Sequence, residues 1–157
     1  MIIWLLQFCI GLLVANAGEW CMHRYLLHYY GKRLGSFWAY HWEEHHYAAR
    51  QADMLDLSYK KWPNCWNTQA KEWLTLVTIL LLHSPFFWLA NGYAFAIYLS
   101  VIVYYFVHRY AHLKPYWAKK YLPWHYEHHL FDGNSNWCVT YPLFDYLLST
   151  RRKFLSK

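Results

Sequence analysis

Charged residues are absent from two long stretches of the chain. Residues 1–18 and residues 73–107 contain no Asp, Glu, Lys or Arg and are mostly apolar or aromatic. A helix over the first stretch spans about 27 Å, which is close to the thickness of the hydrocarbon core of a bilayer. The second stretch is long enough for two passes. The pattern therefore predicts helices that span a membrane.

A turn signal divides the second stretch. Asn91 and Gly92 lie near its middle, and this dipeptide is typical of turns. We predict a helical hairpin with helices over residues 72–90 and 93–110, in addition to the first span. Pro85 could break the first of these helices, and one segment could be re-entrant, so we expect three or four spans. The alternative is a large buried soluble core, but a chain of 157 residues could hardly cover two such helices.

The composition agrees with a membrane protein. Hydrophobic residues make up 57% of the chain and charged residues 15%, against about 25% charged in ordinary soluble domains. This balance excludes a disordered or low-complexity chain. The many Trp and Tyr residues suit bilayer interfaces. We expect an all-α integral membrane protein in which residues 1–157 form a single domain.

The basic residues indicate an orientation. All 15 Lys and Arg fall in two blocks, residues 19–71 and 108–157, and none lies at the N-terminus or the predicted turn. The positive-inside rule places both blocks in the cytosol, with the N-terminus outside and the C-terminus inside. The net charge of +6 therefore indicates contact with anionic headgroups. Because no groove-reading motif is present, nucleic acid is not an expected partner.

Histidines are concentrated in the same two blocks. Ten of the eleven histidines form four boxes, which are His23 and His28; His41, His45 and His46; His108 and His112; and His125, His128 and His129. Most spacings are i,i+3 or i,i+4, which places the side chains on one face of a helix. His23 and His28 are five residues apart, which spreads them by about 140° on an α-helix, so they are expected to flank a site from two sides.

These boxes predict a metal centre at the cytosolic face. All four can converge just inside the membrane, and ten imidazoles are too many for one ion but suit two. Each ligand needs an acceptor for its other ring N–H, for which Glu19, Glu44, Glu127 and Asp132 are candidates. His83 lies alone in the apolar hairpin, so we expect a packed or helix-capping residue there. The alternative is that these histidines are only polar residues at the membrane interface. That alternative does not account for four boxes on the same side of the membrane.

The box pattern resembles the fatty acid hydroxylase/sterol desaturase superfamily. The resemblance rests on Glu19 and the four boxes, and on a tail that runs from Asn136-Trp137 through Asp145 to Thr150. It implies a membrane-bound di-iron enzyme that uses O2 and two electrons to hydroxylate, or less often desaturate, a lipid-like substrate. The implied cofactors are two Fe2+ ions, although imidazole sites also accept zinc, which purified protein can carry.

One box departs from the family pattern. The second box of the family is usually His-x2-His-His, and that register puts Trp42 where the first ligand is expected. His41 could still reach the metal through a helix irregularity, or it could act behind the ligands. Tyr104 and Tyr105 lie one turn before His108 and could line a substrate path, or they could pack at the interface.

An enzyme of this kind needs an electron donor. No haem-binding cytochrome b5 segment is recognisable, so we expect a separate cytochrome b5-like or ferredoxin-like donor. Two other functions stay open. One is a membrane metal-binding or transport protein without oxygenase activity, and the other is an inactive family member with an altered second box.

Overall fold

Helices account for the regular structure of the chain. The computed structural model describes residues 1–63 and 65–155, and within those ranges there is no β-strand. The α-helices are α1 (Ile2–Cys21), α2 (Tyr47–Gln51), α3 (Thr68–His83), α4 (Phe86–Leu89), α5 (Asn91–Leu113), α6 (Pro115–Tyr121), α7 (Pro123–Leu130) and α8 (Leu143–Leu147). Two π-helices, Met22–Tyr30 and Tyr40–His46, and a 3₁₀-helix, Leu57–Lys60, lie between them. The predicted all-α class is confirmed.

Three helical segments are long and apolar enough to cross a membrane. They are Ile2–Tyr30, Thr68–Leu89 and Asn91–Leu113, as expected for an integral membrane protein with three spans. The first segment is long because α1 continues directly into the first π-helix. The second begins at Thr68 because the Asn67 side chain accepts a hydrogen bond from the backbone N–H of Ala70 and caps the helix.

The break in the hairpin differs in place from the predicted turn. Pro85 separates α3 from α4, as its missing N–H and its ring require. The chain then reverses at Ala90, whose φ of −154° and ψ of 73° end α4. Asn91 and Gly92 already belong to α5, so the turn predicted at these residues is wrong. Gly92 serves packing instead, because a Cβ there would lie 2.4 Å from the carbonyl oxygen of Trp4 in α1.

Helix α5 is the centre of the bundle. Helix α1 packs along it, and α3 and α4 also contact it. The second π-helix, α2, α6, α7 and α8 are short elements gathered around the ends of α1 and α5, and we call them the cap. An apolar cluster holds part of the cap to the end of α5, and its buried members are Met54, Ala111, Ala118, Leu122 and Tyr126. The cap therefore closes the end of the bundle where the histidine boxes lie.

Candidate metal centre

All ten histidines of the four boxes meet at the junction of the bundle and the cap. None of them is more than 4% exposed. Four elements supply them: the first π-helix (His23, His28), the second π-helix (His41, His45, His46), the last turns of α5 (His108, His112) and α7 (His125, His128, His129). The structure thus brings together every histidine that the sequence indicated as a ligand.

The two π-helices explain the unusual spacings. A π-helix forms i→i+5 hydrogen bonds and is wider than an α-helix, so residues five apart lie closer to one face than they do in an α-helix. The ring centroids of His23 and His28 are 4.9 Å apart on one face, so the expectation that they flank the site from two sides is wrong. His41 and His46 are also five apart, and their ring centroids lie 4.9 Å from each other. The irregular helix therefore brings His41 into the site.

Five histidines form a first group, His23, His28, His41, His46 and His128, whose ring nitrogens lie within 4.8 Å of one another. Nε2 of His23 is 3.1 Å from Nε2 of His41. Nε2 of His128 is 3.1 Å from that of His28 and 3.2 Å from that of His46. Two nitrogens bound to one ion at about 2.1 Å lie roughly 3 Å apart. The nitrogens thus have the separation that a shared ion requires.

Four histidines form a second group, His45, His108, His112 and His129, again with ring nitrogens within 4.8 Å of one another. His125 lies beside this group, with its ring centroid 4.6 Å from that of His129. In the described part of the chain, Nε2 of His108 and of His112 and both nitrogens of His125 are buried without a hydrogen-bond partner. Such groups are costly in a protein interior unless something binds them, and a cation would do so.

The two groups adjoin and their chemistry fits a metal. The rings of His46 and His129, one from each group, stack at 4.2 Å. Ligand imidazoles must be neutral, and burial lowers the pKa of His41 and of His46 well below the ordinary value, as neighbouring histidines do to a smaller extent. Burial also lowers the pKa of His128 to about 4. Neutral imidazoles suit iron, zinc, copper and nickel, so the residues present fit a transition metal.

The extent of one sequence match decides the family. The sequence model of the fatty acid hydroxylase family matches residues 8–150, which include all four boxes and the tail motif up to Thr150. The chain belongs to the fatty acid hydroxylase family. No curated protein and no solved structure matches it. The resemblance seen in the motifs is confirmed, and the family implies an oxidoreductase of the hydroxylase type.

Backbone carbonyls and one carboxylate orient the histidines of this fatty acid hydroxylase family member. Three of the rings donate from Nδ1 to a backbone carbonyl: His23 to Trp137 at 2.5 Å, His128 to Ser135 at 2.6 Å and His112 to Met54 at 3.0 Å. A fourth ring, His108, donates from Nδ1 to Oε1 of Glu72 at 2.8 Å. A ring that donates from Nδ1 keeps the Nε2 lone pair for a metal. Four of the rings are therefore held in the tautomer and orientation that a ligand needs.

The carboxylates expected as acceptors have other partners. In the part of the chain that the structure describes, no histidine forms a hydrogen bond with any of the four carboxylates, which are those of Glu19, Glu44, Glu127 and Asp132. Their partners are Val139 and Thr140 for Glu19, Thr68 and Lys71 for Glu44, Arg151, Phe154 and Leu155 for Glu127, and Asn134 and Arg152 for Asp132. The expectation that these four carboxylates accept from the histidines is wrong. Closeness to a box in the sequence does not decide which side chain faces the rings.

Glu72 is the carboxylate that accepts a hydrogen bond from a histidine of the boxes. It is buried at the start of the second span, where Oε1 accepts from His108 and Oε2 accepts from the hydroxyl of Tyr59 at 2.8 Å. The sequence carried a signal for it, since Glu72 is the acidic residue directly before the 35-residue charge-free stretch. From the sequence alone, that position indicates only the boundary of a span.

The tail motif positions one wall of the site. Asp145 is fully buried and accepts hydrogen bonds from the backbone N–H groups of Trp137 and Cys138, both at 2.8 Å, and from the Thr150 hydroxyl at 2.7 Å. These bonds fix the backbone of Trp137, whose carbonyl receives Nδ1–H of His23. The family tail therefore acts through the loop that holds His23.

Trp42 covers the first group. Its ring lies 5.3 Å from that of His28 and 5.2 Å from that of His46. Lys32 and Arg50 place their cationic groups 4.2 and 4.5 Å from its ring centroid. An indole N–H only donates hydrogen bonds, so Trp42 cannot replace a histidine ligand, but it keeps solvent from the rings.

A cavity reaches this site from between the spans. It has a volume of about 220 Å³ and is bounded by α1, α3 and α5; we call it the interhelical cavity. His23, Glu72 and Tyr104 line it near the histidines, and the Tyr104 ring stacks 5.4 Å from that of His108. Tyr104 is thus placed where a substrate-lining residue is expected. Tyr105 does not line this cavity and instead packs between Trp62 and Trp73.

His83 lies apart from the boxes. Its Nδ1 donates to the carbonyl of Ile79 at 2.8 Å, and its ring is partly buried beside Phe86 and Tyr93. The expectation of a packed residue outside the histidine groups is confirmed. The structure adds that His83 lines the interhelical cavity at the end of α3.

Proposed function

We propose that this chain is a di-iron, O2-dependent membrane oxygenase that hydroxylates a lipid-like substrate at an unactivated C–H bond, with desaturation as the less favoured outcome. The observation that carries the proposal is the pair of adjoining, buried histidine groups. Two groups of neutral imidazoles fit two metal ions, and membership of the fatty acid hydroxylase family favours iron.

The proposal assigns ten ligands. The first group would hold one ion and the second group the other, with His125 as a further ligand of the second. The set is His23, His28, His41, His45, His46, His108, His112, His125, His128 and His129. The same proposal takes residues 1–157 as one hydroxylase-like domain.

The reaction balances with an external reductant. Two iron ions, when bound, supply O2 activation. One oxygen atom enters the C–H bond and the other leaves as water, which consumes two electrons and two protons. The electrons come from a separate cytochrome b5-like or ferredoxin-like protein, and no nucleic acid takes part.

The residues of the chain supply orientation and exclusion of water. The cap and Trp42 close the histidine groups from the solvent side. The interhelical cavity leads an apolar chain from the bilayer to His23, with Tyr104 beside it as the lining residue. Tyr105 has a packing role against Trp62 and Trp73 in this account.

The orientation in the membrane follows from charge. Both basic blocks flank the end of the bundle that carries the histidine groups, and the positive-inside rule puts such blocks in the cytosol. We therefore place the active site at the cytosolic face of a multi-pass membrane protein, where a soluble electron donor and anionic headgroups are both within reach.

The test is oxygen insertion from isotopically labelled O2. Iron-supplemented cells that express the wild type should accumulate a lipid that has gained one labelled oxygen atom. Untargeted lipidomics would detect this product. His45→Ala and His128→Ala should abolish the product and lower the iron content, whereas Glu44→Gln, at an exposed carboxylate, should keep both. Metal-loaded wild type that consumes no O2 would contradict the proposal and favour a metal-binding, transport or inactive protein.

A further inference from the structure

The interhelical cavity has two chemically different ends. Its lining on α3 follows a single face that runs from Glu72 through Leu76 and Ile79 to His83. Glu72 and His83 are separated by about 16 Å along the helix axis. The Glu72 end adjoins the histidine groups, and the His83 end lies near the hairpin turn at Ala90. A ligand that fills the cavity would thus extend from the metal centre to the opposite part of the spans.

The wall between these ends suits one hydrocarbon chain. Val14, Ile97 and Val101 supply apolar side chains, and the lining is predominantly apolar. Gly18 lines this space, and a Cβ built there meets no atom of the described residues within 4 Å. The cavity therefore has unfilled room beside Gly18 that a side chain, or a ligand, could occupy.

His83 places a hydrogen-bond acceptor at the remote end. Because Nδ1 donates its proton to the carbonyl of Ile79, the tautomer that makes this bond has a lone pair on Nε2. Nε2 forms no hydrogen bond to any described residue. An acceptor in an apolar span attracts a neutral donor such as a hydroxyl group and gives no favourable hydrogen bond to a carboxylate, which can only accept.

We propose that the interhelical cavity binds a single-chain alcohol whose hydroxyl group donates to Nε2 of His83 and whose chain runs to His23. This inference deepens the proposed function, since it makes the substrate a long-chain alcohol rather than a fatty carboxylate. It also sets the position of oxidation, because the carbon that reaches the histidine groups lies about 16 Å from the hydroxyl group.

Binding tests the head-group preference. The full chain as purified, in lipid nanodiscs under anaerobic conditions, would be titrated with dodecanol, dodecane and dodecanoate. Dodecanol should bind about tenfold more tightly than dodecane, the value of one neutral hydrogen bond in an apolar site. His83→Phe should remove this preference and His83→Gln, which supplies an amide acceptor, should restore most of it. Ser84→Ala, at a half-buried neighbour that does not line the cavity and whose hydroxyl donates to the carbonyl of Leu81, should leave the preference unchanged.

Two cavity-filling variants test the location. Gly18→Leu and Val101→Trp should each weaken dodecanol binding at least tenfold, while iron content shows that the protein is folded. Dodecanoate binding as tightly as dodecanol, or wild-type binding by both cavity-filling variants, would overturn the inference.

Photolabelling tests the orientation. A dodecanol analogue with a diazirine at the chain end should label the region of His23 and Tyr104, and one with the diazirine beside the hydroxyl group should label the region of His83 and Phe86. Reversed labelling would overturn the inference. Oxygen insertion without a preference for alcohols would overturn this inference alone, whereas oriented alcohol binding without any oxygen insertion would overturn the proposed function alone.

Discussion

Oε1 of Glu72 accepts a hydrogen bond from Nδ1 of His108 at 2.8 Å, although the two residues belong to different spans. The bond joins the start of α3 to the last turns of α5. Nε2 of His108, which belongs to the second group, has no hydrogen-bond partner among the described residues. A carboxylate behind a histidine fixes its ring and increases its basicity toward a metal.

The first prediction concerns this bond. Glu72→Ala should lower the affinity of the second group for metal by about 10- to 100-fold, because His108 loses its acceptor. Glu72→Gln keeps an oxygen for the bond and should lose less. The measurement is metal retention against a chelator, with Glu44→Gln as the control at an exposed carboxylate. Equal retention in the wild type and in Glu72→Ala would contradict this role.

A second prediction concerns the tail motif. Asp145→Ala removes the acceptor of three hydrogen bonds, two of them buried, and should destabilise the protein by about 3 kcal/mol or more. It should also loosen the Trp137 carbonyl that holds His23, and so reduce metal content. Thermal unfolding in detergent and metal analysis would measure the two effects. Asp132→Asn, in a loop, is the control and should change both less; similar effects of the two variants would exclude a special role for Asp145.

A third prediction concerns the contact between α1 and α5. Gly92→Ala introduces a Cβ that would lie 2.4 Å from the Trp4 carbonyl, so the helices must separate and the melting temperature should fall. Gly18→Ala is the matched control, because its Cβ meets no neighbour in the part of the chain that the structure describes, and Ala favours a helix over Gly by up to about 1 kcal/mol. If Gly92→Ala melted at or above the temperature of Gly18→Ala, the close approach would not be a packing requirement.

The spans could be predicted from the sequence because charged residues are costly in a bilayer, and their absence from a long stretch is visible in the sequence itself. Charge-free stretches, the break at Pro85 and the four boxes all follow from side-chain chemistry that can be recognised without a structure. The histidines converge because each box lies at or beyond the same end of a span. Those features were sufficient for the class and for the residues of the candidate site.

The geometry of the site was beyond the sequence for physical reasons. The i,i+5 spacing of His23 and His28 predicts different faces of an α-helix, and nothing in the sequence of residues 22–30 indicates the π-helix that brings them to one face. Backbone carbonyls hold three of the rings, and every residue carries a carbonyl, so Met54, Ser135 and Trp137 had no distinguishing signal. In the sequence, Gly92 indicates a turn, and the pattern does not distinguish this from the close helix contact that the structure shows, because glycine serves both.

The iron content per chain tests the central claim most directly. Protein from iron-supplemented cells should contain about two iron ions per chain, since two histidine groups are present. His41→Ala should contain less, because Nε2 of His41 lies 3.1 Å from that of His23 in the first group. Wild-type protein that is folded yet binds one ion or none under these conditions would contradict a dinuclear centre, and an unchanged ratio in His41→Ala would remove His41 from it.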